Sequence, residues 1–173
     1  MKIFHTQLTG LTNRLDEMTE EIEDAARLMA QSVISDGSVY WASDIEMSGV
    51  VTQACSAEDR IKDSQPIHNG QIEGFSPMDT LVIASTSMSD PFLLTLIAQA
   101  KKDRATVIAI SSTPQTESVI TDIDFMLPTG IEHGLVPLES GRRIGSPHLL
   151  MGLYIYYHLF FAVTDILEEH EED

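Results

Sequence analysis

The sequence predicts an α/β fold, a parallel sheet covered by helices on both faces. Three observations predict it. Residues 79–111 read as an apolar strand (LVIA), a helix and a second apolar strand (ATVIAI). Continuous apolar runs of that length suit parallel strands buried on both faces. Each run exits into a hydroxyl-rich turn, Ser85-Thr86-Ser87-Met88-Ser89 and Ser111-Ser112-Thr113-Pro114. Strand and helix patterns also alternate along the chain, which gives βαβ crossovers. The chain has 173 residues, 43 % hydrophobic and 21 % charged, one domain's length and enough to bury a core without disulfides.

The elements follow in order. Leu8, Leu11, Leu15, Met18, Ile22, Ala25 and Met29 alternate spacings of three and four, with no Gly or Pro between Leu11 and Asp36. One long helix is expected over 1–36, with Asp16, Glu17, Glu20, Glu21, Glu23 and Asp24 on its wet face. Such a stripe serves either to dock on its own domain or to pair with a partner helix. Ser35-Asp36-Gly37 ends it. Residues 38–43 (SVYWAS) form a short strand. Met47, Val50, Val51, Ala54 and Cys55 then recur at helical spacing. Residues 58–74, with Pro66 and Asn69-Gly70, make a loop containing a short strand near Ile67.

Asp90-Pro91 supplies an N-cap and a first-turn proline for a helix running to about Asp103. Phe92, Leu94, Leu96, Ile97 and Ala100 lie on its inner side. A short helix over 116–121 leads to Phe125-Met126-Leu127, a third buried run. Ser146-Pro147 opens the last helix, which reaches about Glu169 and is apolar nearly all round. A helix without a polar face buries more than one side, here the sheet on one and another subunit on the other. The expected organisation is a single domain. Residues 1–36 form the first helix, 37–146 the sheet region, 147–169 the last helix and 170–173 an acidic tail.

Ten Lys+Arg against 27 Asp+Glu leave a formal charge of −17. That field repels nucleic-acid backbones and anionic membrane surfaces, so neither is an expected partner. The one cysteine, Cys55, cannot form an internal disulfide, which points to a reducing cytoplasm. The opening MKIFHTQLTG lacks the apolar core of a secretory signal. Residues 149–163, interrupted by Gly152, His158 and three tyrosines, fall short of the ~20 apolar residues of a membrane span.

The turns at 43–46, 85–89, 111–113 and 129–133 should converge on one rim, where sheets of this kind bind ligands. Hydroxyls and amides at a helix start suit a phosphate, which makes Ser43, Ser85, Thr86, Ser87 and Ser89 candidates. The same serines also serve simply as caps, and Asp90 competes with any anion. Arg142 and Arg143 are the only Lys or Arg after Arg104. They read as a phosphate clamp or as surface ion pairs. Glu132, between Gly130 and Gly134 just past a strand, is placed as a general base or as a solvated turn residue. His148 and His158 lie ten residues apart on one helix and point about 80° from each other, which is not a ligand pair. With no HExxH, Walker loop or hydrolase Gly-Ser motif, no metal or cofactor is expected.

Residues 79–111, DTLVIASTSMSDPFLLTLIAQAKKDRATVIAIS, resemble the central motif of SIS (sugar isomerase) domains. That motif is an acid, an apolar strand, Ser-x-Ser-Gly-x-Thr, a helix ending in Ala-Lys, and a second apolar strand. Ser85 and Ser87 match its serines, while Met88 replaces the Gly and Asp90 the Thr. Residues 130–136 are similar to the Gly-x-Glu-x-Gly-Val run of the isomerase domain of glucosamine-6-phosphate synthase, and Glu132 falls on its proton-transferring Glu. Ala42-Ser43-Asp44-Ile45-Glu46 stands where the family has a Gly-x-Gly-x-Ser type turn, and its two carboxylates push a phosphate away. Size and layout resemble phosphoheptose isomerases, with His148 or His158 standing for the histidine of their last helix.

The resemblance implies a three-layer α/β sandwich with a long N-terminal helix and a five-stranded parallel sheet of flavodoxin-like order. It implies a phosphosugar ligand, and the apolar first and last helices are expected to form a homodimer or homotetramer interface. As an aldose–ketose isomerase, Glu132 shuttles a proton through an enediol and His133 or His148 assists ring opening. Ser85, Thr86 and Ser87, with Arg142 or Arg143, hold the phosphate. The lost glycines imply two alternatives. One is a non-catalytic module that binds a phosphosugar or nucleotide sugar and regulates a partner; the other is a structural oligomer with decayed ligand loops.

Overall fold

The computed structural model describes residues 1–68, 72–112 and 121–172. One sheet contains β1 (Val39–Ser43), β2 (Ser64–Pro66), β3 (Thr80–Ser85), β4 (Thr106–Ser111) and β5 (Phe125–Pro128). Every pairing in it is parallel and the order is β2-β1-β3-β4-β5. This is the expected flavodoxin-like order, which reverses direction between β1 and β3. All six residues of β3 are buried, which is why its sequence is an unbroken apolar run. β6 (Val136–Pro137) and β7 (Arg143–Ile144) form a separate antiparallel ribbon, too short to show a period in sequence.

The helices bounded within the described residues are α1 (Lys2–Asp16), α2 (Thr19–Ile34), α3 (Ser48–Ser56), α4 (Pro91–Lys102) and α5 (His148–Glu172). On one face of the sheet Leu15, Met29, Trp41, Val82, Ile108, Leu127 and Ile155 share a core with α1, α2, α3 and α5. On the other, Leu81, Ile83, Val107 and Ala109 meet Leu93 and Ile97 of α4. Full burial of each large aliphatic side chain stabilises by about 1.5–3 kcal/mol. Asp90 caps α4 as expected, its Oδ1 accepting the Phe92 N–H at 2.8 Å. The inner face of α4 runs through Leu93 rather than Leu94. The short helix expected over 116–121 falls on residues 116–120, which lie outside the described residues.

The single helix expected over 1–36 is divided at Glu17–Met18. There the Thr19 hydroxyl donates to the Asp16 carbonyl at 2.8 Å and the Met18 N–H to the Leu15 carbonyl at 3.0 Å. A hydroxyl that takes a main-chain carbonyl competes with the helical ladder. The apolar stripe continues across the joint, with Leu11, Leu15, Ile22, Ala25 and Met29 all buried within the chain.

α5 begins one residue after Pro147, with the His148 N–H on the Ser146 carbonyl at 2.9 Å. At 25 residues it is long and apolar enough to cross a membrane by length and composition, more than residues 149–163 alone suggest. Met151, Ile155, Tyr156, Leu159 and Val163 are buried, while Leu150 and Phe161 are exposed. Two glycines let α3 and α5 approach. A Cβ at Gly49 would lie 2.8 Å from Leu149 Cδ1, and one at Gly152 would lie 2.5 Å from Met47 Cε.

Polar side chains close the amino ends of the strands. The Asp79 carboxylate, 7 % exposed, accepts the Ser38 N–H at 2.9 Å and the Ser76 N–H at 2.6 Å. The buried hydroxyls of Ser32 and Thr80 pair at 2.8 Å.

Candidate functional site

Parallel pairing puts the exits of β1, β3, β4 and β5 on one rim, with β3 and β5 about 10 Å apart across β4. A crevice of about 570 Å³ opens there between the β1 exit, α3, the β2 exit and the start of α4. It sits where the strand order reverses, the usual ligand position in such sheets. Its walls are Ser43, Asp44, Ile45, Ser48, Val51, Thr52, Ile67, His68, Asp90 and Phe92. Among the described residues those walls carry hydroxyls, an imidazole and two carboxylates, but no Lys or Arg.

Asp44 organises the rim. Its Oδ2 accepts the Thr86 N–H at 2.6 Å, the Thr86 hydroxyl at 2.9 Å and the Ser85 hydroxyl at 3.0 Å. Its Oδ1 accepts the Met47 N–H at 3.0 Å. The donors suited to a phosphate are therefore already engaged by a carboxylate of the chain. Ser85 Oγ accepts the Met88 N–H at 3.2 Å, and the Ser87 and Ser89 hydroxyls pair at 2.7 Å. Met88 holds φ +51°, the left-handed conformation that glycine takes easily and that costs other residues about 1–2 kcal/mol.

Two hydroxyls on this rim are unsatisfied. Ser111, the β4 register partner of Ser85, and Thr129, just past β5, are 0 % and 1 % exposed. Among the described residues neither hydroxyl oxygen has a hydrogen-bond partner. Each such group costs about 1–3 kcal/mol.

The remaining candidates lie elsewhere. Glu132 and His133 are exposed, and neither lines the crevice. Their flanking glycines have backbone reasons. Gly130 holds φ +72°, and a Cβ at Gly134 would lie 2.5 Å from Ile144 N. Arg143 donates from Nε to the Gly134 carbonyl at 2.7 Å and from Nη2 to the Leu135 carbonyl at 3.0 Å. Its fork thus holds the β6–β7 ribbon against the preceding turn. Arg142 is exposed, and His148 Nδ1, at the start of α5, is buried with no partner among the described residues. Of the residues singled out from sequence, Ser43 lines the crevice, Ser85 and Thr86 bond to Asp44, and Ser87 and Ser89 bond to each other.

Sequence reasoning missed His68 as a wall residue and read Asp44 only as a repelling charge. An Asp three residues before Met47 at a helix start does suggest an acceptor for that N–H. Its bonds to Ser85 and Thr86 span 41 and 42 residues and leave no local signal. Burial pushes the Cys55 thiol up to about 12, so it is not a nucleophile near neutrality. Among the described residues no three His, Cys, Asp or Glu side chains gather as metal ligands would.

The model of the family described as "Domain of unknown function (DUF2529)" matches residues 1–167. The chain is 30 % identical over 172 residues to the Bacillus subtilis (strain 168) protein YwjG, covering 98 % of this chain and 99 % of that one. Among solved structures it resembles a phosphoheptose isomerase from Neisseria gonorrhoeae, with TM-score 0.61, 13 % identity and coverage of 90 % and 94 % of the two chains. It also resembles the sugar isomerase domain of an RpiR transcription factor from Sphaerobacter thermophilus, with TM-score 0.60, 11 % identity and coverage of 99 % and 97 %. These likenesses establish a SIS-like α/β fold.

Proposed function

This chain belongs to the DUF2529 family, and we propose that it is a SIS-type binding module for a sugar phosphate rather than an isomerase. The observation that carries the reading is the crevice of about 570 Å³ at the point where strand order reverses. Its hydroxyls at Ser43, Ser48 and Thr52 suit a polyhydroxylated ligand, and Phe92 and Val51 offer an apolar wall for a sugar ring. One structural neighbour is named as the sugar isomerase domain of a transcription factor, which supports a sensing role. Ligand occupancy would then be passed to a partner.

Isomerase chemistry is the second reading, because Glu132 leaves β5 on the same rim as the crevice. In it Glu132 moves the proton, His133 or His148 opens the ring, and Ser85, Thr86, Ser87 and Arg142 or Arg143 hold the phosphate. Exposure of Glu132 and His133 and the engagement of Arg143 with backbone carbonyls weigh against it. Fructose 6-phosphate and sedoheptulose 7-phosphate separate the two. The module reading expects thermal stabilisation without turnover. Turnover that disappears in E132Q overturns it in favour of the isomerase.

We further propose a cytoplasmic homo-oligomer assembled through α1 and α5, in keeping with exposed Leu150 and Phe161. Light scattering checks it, and a monomeric mass overturns it.

A further inference from the structure

We propose that Asp44 is a built-in occupant of the phosphate cradle, and that a sugar phosphate engages the hydroxyl turn only by displacing it. This rests on the sugar-phosphate reading above and names what sets the selectivity of that site. The two oxygens of Asp44 collect donors ahead of two helices. They take the Met47 N–H before α3, and the Ser85 hydroxyl and both Thr86 donors before α4. A phosphate oxygen seated there draws on the same N–H and O–H groups. Two oxyanions cannot share them, and at contact distance they repel. The crevice supplies no Lys or Arg to offset that repulsion.

The Ser111 hydroxyl is a second, independent sign that the cradle is built for more than Asp44. Ser111 is the register partner of Ser85, so its side chain leaves the same face of the sheet one strand over. It is fully buried, and among the described residues its oxygen has no hydrogen-bond partner. A planar carboxylate holds the donors on the β1 and β3 side and leaves this one idle. A tetrahedral oxyanion has a further oxygen to offer it. Asp44 therefore keeps the turn folded in the empty protein and sets a threshold against phosphate.

Inorganic phosphate is the probe, titrated by calorimetry into the wild type, D44N, D44S and E46Q. Both Asp44 variants should bind it at least about tenfold more tightly than the wild type. E46Q removes the same charge from an exposed neighbour on the same turn and should not change it. An equal gain in E46Q assigns the effect to bulk charge and overturns the proposal. So does the absence of a gain in folded D44N or D44S; if D44S does not fold, the closer isostere D44N carries the test. Fructose 6-phosphate in parallel separates this idea from the reading it rests on. Binding that is indifferent to Asp44 keeps the sugar-phosphate reading and ends the gate. A phosphate gain in D44N with no sugar phosphate bound by any protein keeps the gate and ends that reading.

Discussion

The two ends of the sheet use the same device and finish differently. At the amino ends, Asp79 gathers backbone N–H groups from Ser38 and Ser76, and the Ser32 and Thr80 hydroxyls satisfy each other. At the carboxyl ends, Asp44 likewise gathers N–H groups from Met47 and Thr86. There, however, the buried Ser111 and Thr129 hydroxyls go unanswered among the described residues and a crevice adjoins. Unpartnered buried polar groups are rare and require an explanation. One Asp-to-amide arrangement seals a layer, while the other holds a place beside open space.

Substitutions can break or sharpen that contrast. The largest loss should follow Asp79→Ala, which removes the acceptor of two N–H groups at a residue only 7 % exposed. About 2–4 kcal/mol of unfolding free energy is expected to disappear in urea melts. Asp44→Ala should cost less, about 1–2 kcal/mol, because water entering the crevice can satisfy the released donors. Equal losses at the two aspartates would erase the distinction between the ends.

Hydroxyl deletions test the same contrast on a finer scale. Ser32→Ala leaves Thr80 without its partner and should cost about 1 kcal/mol. Ser111→Ala removes an unanswered hydroxyl and should leave stability within about 0.5 kcal/mol or raise it. A clear loss at Ser111 would mean that its oxygen is satisfied in solution.

The smallest effect is a dependence on acid. Asp103, at the end of α4, is held below the ordinary carboxylate range, first by the Gln99 side-chain amide and then by the Phe75 N–H. A group with a lowered folded value stabilises above its unfolded value, about 3.9, and that contribution fades as pH falls through the folded value. Asp103→Asn should therefore lose less stability than the wild type in that window. Urea midpoints at neutral and acid pH measure it, and identical acid losses would remove Asp103 from the account.

Much of the layout was legible because local chemistry wrote it. The β3–α4–β4 unit declares itself through two apolar runs and Asp90-Pro91, and the structure follows that reading closely. The break at Glu17–Met18 was not legible, since no Gly or Pro marks it and the apolar spacing runs through unbroken. The β6–β7 ribbon was too short to carry a pattern. At the candidate site, the residue types at 43–46 and 85–89 were visible. Their pairing was not, because Asp44 meets Thr86 through the sheet rather than along the chain. Gly130 and Gly134 look like a frame for Glu132 in sequence, and in three dimensions they serve a turn and a ribbon.

The joint at Glu17–Met18 also has a consequence for how the molecule opens. No main-chain ladder runs from α1 into α2, and α1 buries only Leu11 and Leu15 fully. Within a single chain it is therefore expected to open as its own cooperative unit before the sheet, α2 and α5. Its amide protons should exchange with deuterium well before those of α2. The first event on warming would then be the release of a fifteen-residue arm, uncovering the flank of the core beneath it.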